Sequence, residues 1–267
     1  MTAAATDLSA KTLSDADLAD ARRALACLDL TDLSDDASEA GTERLCARAV
    51  TPFGPVAAVC LWPRFVATAK RALAGSPVKV ATVVNFPAGG EKTLEVVEEA
   101  RRAAADGADE VDLVIAWRAV VGGRPGFAET QVARVRAALP PHVRLKAILE
   151  TGELVDPALI RIAAEAAIAG GSDFLKTSTG KTKVSATPEA VAVLIDAIRA
   201  APRPVALKIS GGVRTLVDAS AYLAQVDAGL GTGWATPATF RFGASGLLDA
   251  LAAALQGSAA PKPAAGY

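Results

Sequence analysis

The chain has 267 residues, 51% of them hydrophobic and 21% charged, enough to bury one sizeable core in a single large domain. Its 28 basic and 29 acidic side chains leave a formal net charge of −1, which excludes a global pull toward nucleic acid or an anionic membrane and points to a small-molecule partner. Cys27, Cys46 and Cys60 form neither an even disulfide framework nor a C-x-x-C metal knuckle, and read as small core residues in a reducing compartment.

Residues 1–24 read as a helical extension ahead of the main domain. The first 20 lack the basic region plus apolar run of a secretory signal, and no later stretch offers about 18 uninterrupted apolar residues, so a cytoplasmic protein that does not enter membranes is expected. From there on, short β-branched or apolar runs alternate with longer Ala-rich amphipathic stretches, the pattern of parallel strands joined by crossover helices. The predicted strands are Ala26–Leu30, Val56–Trp62, Val78–Phe86, Glu110–Trp117, Arg144–Glu150, Phe174–Ser178, Val205–Ser210 and Arg241–Ala244. Predicted helices between them include Glu39–Val50, Pro63–Ala74, Thr93–Asp106 and Pro188–Ala200. Asp156 before Pro157 and Thr187 before Pro188 each place a capping side chain ahead of a first-turn proline. Eight strand–helix units with no strand left over predict a closed (β/α)8 TIM barrel over residues 25–255, in preference to an open doubly wound sheet. Residues 256–267, rich in Ala and Pro, read as a flexible tail.

Strands of such a barrel should be almost wholly apolar, because an unpaired charge in a packed interior costs several kcal/mol. Four of them break the rule: Asp112 in EVDLVI, Lys146 in RLKAIL, Lys176 in FLKTST and Lys208 in ALKIS. A single lysine in an apolar run often marks a strand end reaching for water. Four charges on four strands point instead into the barrel. One carboxylate among three ammonium groups leaves an excess of positive charge, and the simplest relief is for one lysine to lose its proton. Two ammonium groups roughly 6 Å apart at an effective dielectric of about 20 repel by about 3 kcal/mol, equivalent to roughly two pKa units. An amine so depressed attacks carbonyls and forms a Schiff base, while a nearby carboxylate moves protons.

After the seventh and eighth strands come Gly211, Gly212, Val213, Arg214 and then Gly243, Ala244, Ser245, Gly246. Barrels bind phosphate in these two loops through backbone N–H groups that glycine leaves open to close approach. Thr177, Ser178, Thr179, Gly180 and Lys181 offer further donors after the sixth strand. The one histidine, His142, follows Pro140 and Pro141 and reads as a surface loop residue. With no other histidine, a zinc-dependent aldolase or a Ser-His-Asp hydrolase is disfavoured.

GADEVD (107–112), KAILETGEL (146–154), DFLKTSTGK (173–181) and LKISGGVR (207–214), with LDLTDL, VCLWPRF and ATVVNFPAGG earlier in the chain, resemble the deoxyribose-phosphate aldolase family, in particular its longer, enterobacterial-type branch. The resemblance implies reversible cleavage of 2-deoxy-D-ribose 5-phosphate to D-glyceraldehyde 3-phosphate and acetaldehyde, in deoxynucleoside catabolism and with no cofactor or metal. It makes Lys176 the Schiff-base lysine, Lys208 the neighbour that lowers its pKa and Asp112 a proton carrier acting through water, with Asp29 and Lys146 in the surrounding polar network. Thr179, Gly180, Lys181, Gly211, Gly212, Val213, Arg214, Gly243 and Ser245 match sugar and phosphate contacts, and Tyr267 matches a tail tyrosine that assists proton transfer. Gly246 stands where the family often has a second serine, which predicts a somewhat weaker phosphate site, and KISGG departs from the family's seventh loop without displacing Lys208. Cys60, near the expected mouth, is a candidate thiol for unsaturated aldehydes, with inert packing as the alternative. Two rivals keep the barrel: a Schiff-base aldolase for another sugar phosphate, and a non-catalytic barrel whose lysines only grip an anion. A homodimer is expected as the commonest arrangement.

Overall fold

In the computed structural model, which describes residues 13–257, eight parallel strands close into a ring. They are β1 (Leu28–Asp32), β2 (Ala58–Leu61), β3 (Lys79–Val84), β4 (Glu110–Val114), β5 (Arg144–Ile148), β6 (Phe174–Lys176), β7 (Ala206–Ser210) and β8 (Phe240–Ala244). Closure runs through β8 and β1, where Leu28, Asp29 and Leu30 stand opposite Phe242, Gly243 and Ala244. The predicted TIM barrel is therefore the observed fold. A helix at Asp15–Ala26 precedes β1, opened by a capping box between Ser14 and Asp17, and Arg23 ties it to Asp227 through two 2.8 Å hydrogen bonds.

Side chains alternate along each strand. One set, including Leu28, Leu30, Val59, Leu61, Val111, Leu113, Leu207, Ile209, Phe240 and Phe242, packs with the surrounding helices into the main core. The other set fills the lumen, which is divided. Ala58 and Cys60 of β2 with Ala81 and Val83 of β3 form a separate small apolar cluster beneath Trp62 and Phe86. The remaining strands contribute the charges, in matched register: Asp112 opposite Lys146, Lys176 opposite Lys208 and Lys208 opposite Arg241. Small lumen residues such as Ala58, Ala81, Ala206 and Gly243 leave the volume that long lysine stems need.

The helix over Pro188–Ala200 falls where predicted, and Thr187 and Asp156 accept hydrogen bonds from Ala190 N–H and Ala158 N–H at their helix starts. Several strands are shorter than predicted at their C-terminal ends. Glu110–Trp117 stops at Val114, with Trp117 opening a helix over Trp117–Val121, and Arg144–Glu150 stops at Ile148, with Glu150 turning left-handed at φ 57° ahead of a helix over Thr151–Leu154. Ile115, Ala116 and Leu149 are nonetheless buried. Burial outlasts the strand ladder at this end of the barrel, so an apolar run overstates strand length there. The first predicted strand, Ala26–Leu30, shifts to Leu28–Asp32 because Ala26 completes the preceding helix. The Glu39–Val50 and Pro63–Ala74 predictions become Glu39–Arg48 and a 3-10 turn over Pro63–Phe65 leading into Val66–Ala72, and Val50–Thr51 pairs with Gly54–Pro55 in a short hairpin.

Candidate active site

Lys176 is the last residue of β6 and Lys208 lies mid-strand on β7, so both amines rise inside the lumen toward its C-terminal end. They meet on one atom. Asp112 Oδ2 accepts from Lys176 Nζ at 2.8 Å and from Lys208 Nζ at 2.7 Å, while Asp112 Oδ1 accepts from Lys146 Nζ at 2.8 Å. Asp29 Oδ2 pairs with Lys208 at 2.6 Å and, less closely, with Lys146 at 3.4 Å. The structure thus brings Lys176, Lys208, Lys146, Asp112 and Asp29 into one cluster.

Two members of this network went unread in the sequence. Arg241 donates to Asp29 Oδ1 at 2.6 Å and to both oxygens of Glu110, at 2.7 and 3.0 Å, and Glu110 Oε2 also pairs with Lys146 at 2.6 Å. Both stand at strand starts, where a charge ordinarily reaches for solvent. The available signal was spacing: Glu110 lies two residues before Asp112 and Arg241 two before Gly243, so each shares its neighbour's inward face.

Burial pushes the amine of Lys176 below the ordinary lysine value; Asp112 opposes that push and Lys208 adds to it. The principal cause is therefore the dry lumen, with Lys208 as the charge that reinforces it. Lys208 itself is held well above the ordinary value because Asp112 and Asp29 outweigh its burial, and Lys146 is raised through Asp112 and Glu110 against the same penalty. Burial favours the neutral form of Asp112, yet Lys146, Lys176 and Lys208 together hold it well below the carboxylate range. Asp29 is lowered too, by Lys208, Arg241 and Lys146 against burial. Arg241 is raised, because Asp29 and Glu110 overcome its desolvation.

Around the mouth, a Cβ at Gly243 would collide with Ser210 Oγ and stand 2.9 Å from Lys208 Cε, so one of those side chains would have to shift. Gly211 and Gly212 have φ of 81° and 83°, Val213 is buried and Arg214 is exposed. Ser245 is half-buried, and Gly246 caps the helix Leu247–Leu255 with no side-chain bond to its first N–H groups. Thr179 is engaged from within, donating its hydroxyl (2.6 Å) and backbone N–H (3.1 Å) to the carboxylate of Glu150. Burial raises the pKa of Glu150, opposed by these Thr179 bonds. Gly180 adopts φ 77° and Lys181 is exposed. Ser178 Oγ is buried with no hydrogen-bond partner among the described residues.

Cys60 is fully buried in the apolar half of the lumen, where burial raises its pKa and holds it as the protonated thiol, the less nucleophilic form. His142 is exposed in a turn on the opposite face. There a cavity of about 660 Å³, lined by Phe53, Val56, Phe174 and Arg144 among others, reaches Glu110 and Arg241 from below. Lys176 does not line this cavity. Tyr267 lies outside the described residues. Among those residues no group of three or more His, Cys, Asp or Glu is arranged to hold a metal ion, and no helix is long and apolar enough to cross a membrane.

The family model for DeoC/LacD family aldolases matches residues 23–238. The chain is 48% identical over 244 residues to the deoxyribose-phosphate aldolase of Agrobacterium fabrum (strain C58 / ATCC 33970), covering 91% of this chain and 94% of that protein. A crystal structure of a candidate deoxyribose-phosphate aldolase from Toxoplasma gondii ME49, in its apo form, superposes with a TM-score of 0.83 at 28% identity, over 91% of this chain and 98% of that one. The tetrameric deoxyribose phosphate aldolase of Aeropyrum pernix shares the fold at a TM-score of 0.71 and 23% identity, over 90% of this chain and 97% of that one.

Proposed function

This chain belongs to the DeoC/LacD family of aldolases and is a carbon–carbon lyase; from that premise we propose that it reversibly cleaves 2-deoxy-D-ribose 5-phosphate to D-glyceraldehyde 3-phosphate and acetaldehyde through a Schiff base on Lys176. The observation that carries this reading is the contrast within one buried cluster, where the amines of Lys146 and Lys208 are held protonated and only that of Lys176, at the C-terminal end of its strand, is lowered.

The neutral Lys176 amine attacks C1 of the open-chain sugar, and loss of water gives a protonated imine. The attack turns an uncharged amine into a cation, and Asp112 Oδ2, 2.8 Å from Nζ before reaction, already stands where that charge forms. The C3 hydroxyl then gives up its proton while the C2–C3 bond breaks. Its electron pair passes to the iminium, leaving an enamine on Lys176 and releasing glyceraldehyde 3-phosphate. Protonation at C2 and hydrolysis release acetaldehyde and return the free amine. Asp112 moves these protons through water, since both its oxygens are already occupied by amines. Backbone N–H groups at Gly211–Arg214 and Gly243–Ser245, with Gly180 and Lys181, take the phosphate end. The proposed chemistry uses neither metal nor organic cofactor.

Borohydride added to protein with acetaldehyde or 2-deoxyribose 5-phosphate should leave a stable adduct on the peptide carrying Lys176, absent in Lys176→Ala. Folded protein that gives no adduct with either compound would sink the mechanism and put the anion-gripping barrel ahead.

A further inference from the structure

The buried charges of the lumen close on themselves. Arg241 pairs with Glu110, Glu110 with Lys146, Lys146 with Asp112, Asp112 with Lys208, Lys208 with Asp29, and Asp29 returns to Arg241, every link between 2.6 and 2.8 Å. The result is a six-membered ring of alternating sign and zero net charge, drawn from β1, β4, β5, β7 and β8. Lys176 hangs outside it, sharing an Asp112 oxygen that the ring already uses. We infer that Glu110 and Arg241 are positioning residues for the lysine chemistry: by closing this ring they leave Lys176 without a carboxylate of its own, so that it rests as the free amine.

The physical reason is charge balance in a dry space. With Lys176 neutral, the side chains of the seven residues Asp29, Glu110, Asp112, Lys146, Lys176, Lys208 and Arg241, each residue no more than 5% exposed, sum to zero; protonating Lys176 makes the sum +1 in a medium that penalises net charge. Among the described residues, the other titratable groups around Lys176 are the protonated Cys60 thiol on β2 and Glu150 after β5, whose carboxylate is taken up by Thr179; β3 contributes none, its inward residues being Ala81 and Val83. Without Arg241, Asp29 and Glu110 would draw Lys208 and Lys146 downward and expose Asp112 to Lys176. Without the Glu110 charge, Lys146 would turn wholly to Asp112 and Asp29. The two losses act on Lys176 in opposite directions, which neither packing nor general destabilisation would produce.

The inference rests on the Schiff-base reading, so the test reads both. For wild type, Glu110→Gln, Arg241→Gln, Arg241→Lys and the double variant E110Q/R241Q, kcat/KM and the rate of borohydride trapping at Lys176 are measured from pH 5 to 9, with thermal unfolding alongside. The acidic limb should move up by roughly 1 pH unit in Arg241→Gln and down by a similar amount in Glu110→Gln. It should return close to wild type in the double variant and stay near it in Arg241→Lys. If Arg241→Gln does not fold, Glu110→Gln and the double variant carry the decision. Limbs that stay put while rates fall at every pH, or that shift in the same direction, overturn the positioning role and leave the Schiff base standing. Wild-type protein that traps nothing at Lys176 overturns both.

Discussion

Lys176 and Lys208 touch the same oxygen of Asp112, at 2.8 and 2.7 Å, and yet their amines are pushed in opposite directions. Lys208 holds a second carboxylate, Asp29 at 2.6 Å, and two anions outweigh what burial costs it. Lys176 has only a share in one, and burial wins. Replacing Lys208 with methionine should therefore do more than remove a charge. Asp112 Oδ2 would pass wholly to Lys176, favouring its ammonium form, and Asp29 would lose its nearest amine. We expect kcat/KM at pH 7 to fall by about 100-fold with the acidic limb moved upward, and stability to drop by about 3–5 kcal/mol, as for other broken buried pairs. A pH–rate profile and a urea melt on Lys208→Met check the two parts separately. At this scale the sequence already disclosed the lysines and Asp112, since a charge inside an apolar strand run is visible. It hid Glu110 and Arg241, since a charge at a strand start has an ordinary explanation.

The strand is the element that turns these residues into a site. Its two-residue period sends Glu110 and Asp112, or Arg241 and Gly243, to the same face, and the parallel register then sets Asp112 beside Lys146 and Lys176 beside Lys208. The fit is close enough that one missing side chain is part of it. Gly243 lies opposite Ser210 on one side and Asp29 on the other, with Lys208 Cε running past it. A methyl group there would displace the Lys208 stem and move its ammonium off Asp29 and Asp112. Gly243→Ala should lower kcat by at least 10-fold, in keeping with the cost of ångström-scale misplacement, and destabilise by about 1–3 kcal/mol. Single-turnover kinetics and thermal melts would read this; wild-type rates would show that the stem is not held as described. Element by element, the helix caps at Asp156 and Thr187 were readable because capping is local chemistry. The strand ends were not, because Ile115, Ala116 and Leu149 stay fully buried past the last residue of their strands, so an apolar run does not mark where the strand stops.

Across the whole molecule, concentrating charge in the lumen ties stability to pH. Asp29 and Asp112 have folded pKa values below the unfolded carboxylate value of about 3.9. A depressed acid contributes fully above its unfolded pKa and loses that contribution as pH falls through the folded one, so the carboxylates' contribution to the unfolding free energy should be level near neutrality and decline below about pH 4, by on the order of 2 kcal/mol or more at pH 3. Lys146 and Lys208 are raised, so their contribution is present at neutral pH and lost only above about 10.4, as pH rises through the folded values. Lys176 acts against folding at all pH below about 10.4, most fully below its lowered value, and the penalty fades as pH rises between the two, where the unfolded amine keeps a proton that the folded one gives up. Urea titrations at pH 7, 4 and 3 would show the acid decline; a flat profile would mean that the cluster takes up water and protons freely. The sequence by itself determined the alternation of strands and helices, the closed eightfold count and the presence of charges that an apolar strand could not discard, because periodicity and composition are properties of neighbours along the chain. Only the tertiary structure decided that those charges close into a neutral ring with one amine left over. A ring links residues as far apart as Asp29 and Arg241, and its charge balance exists only once the barrel has closed and excluded water.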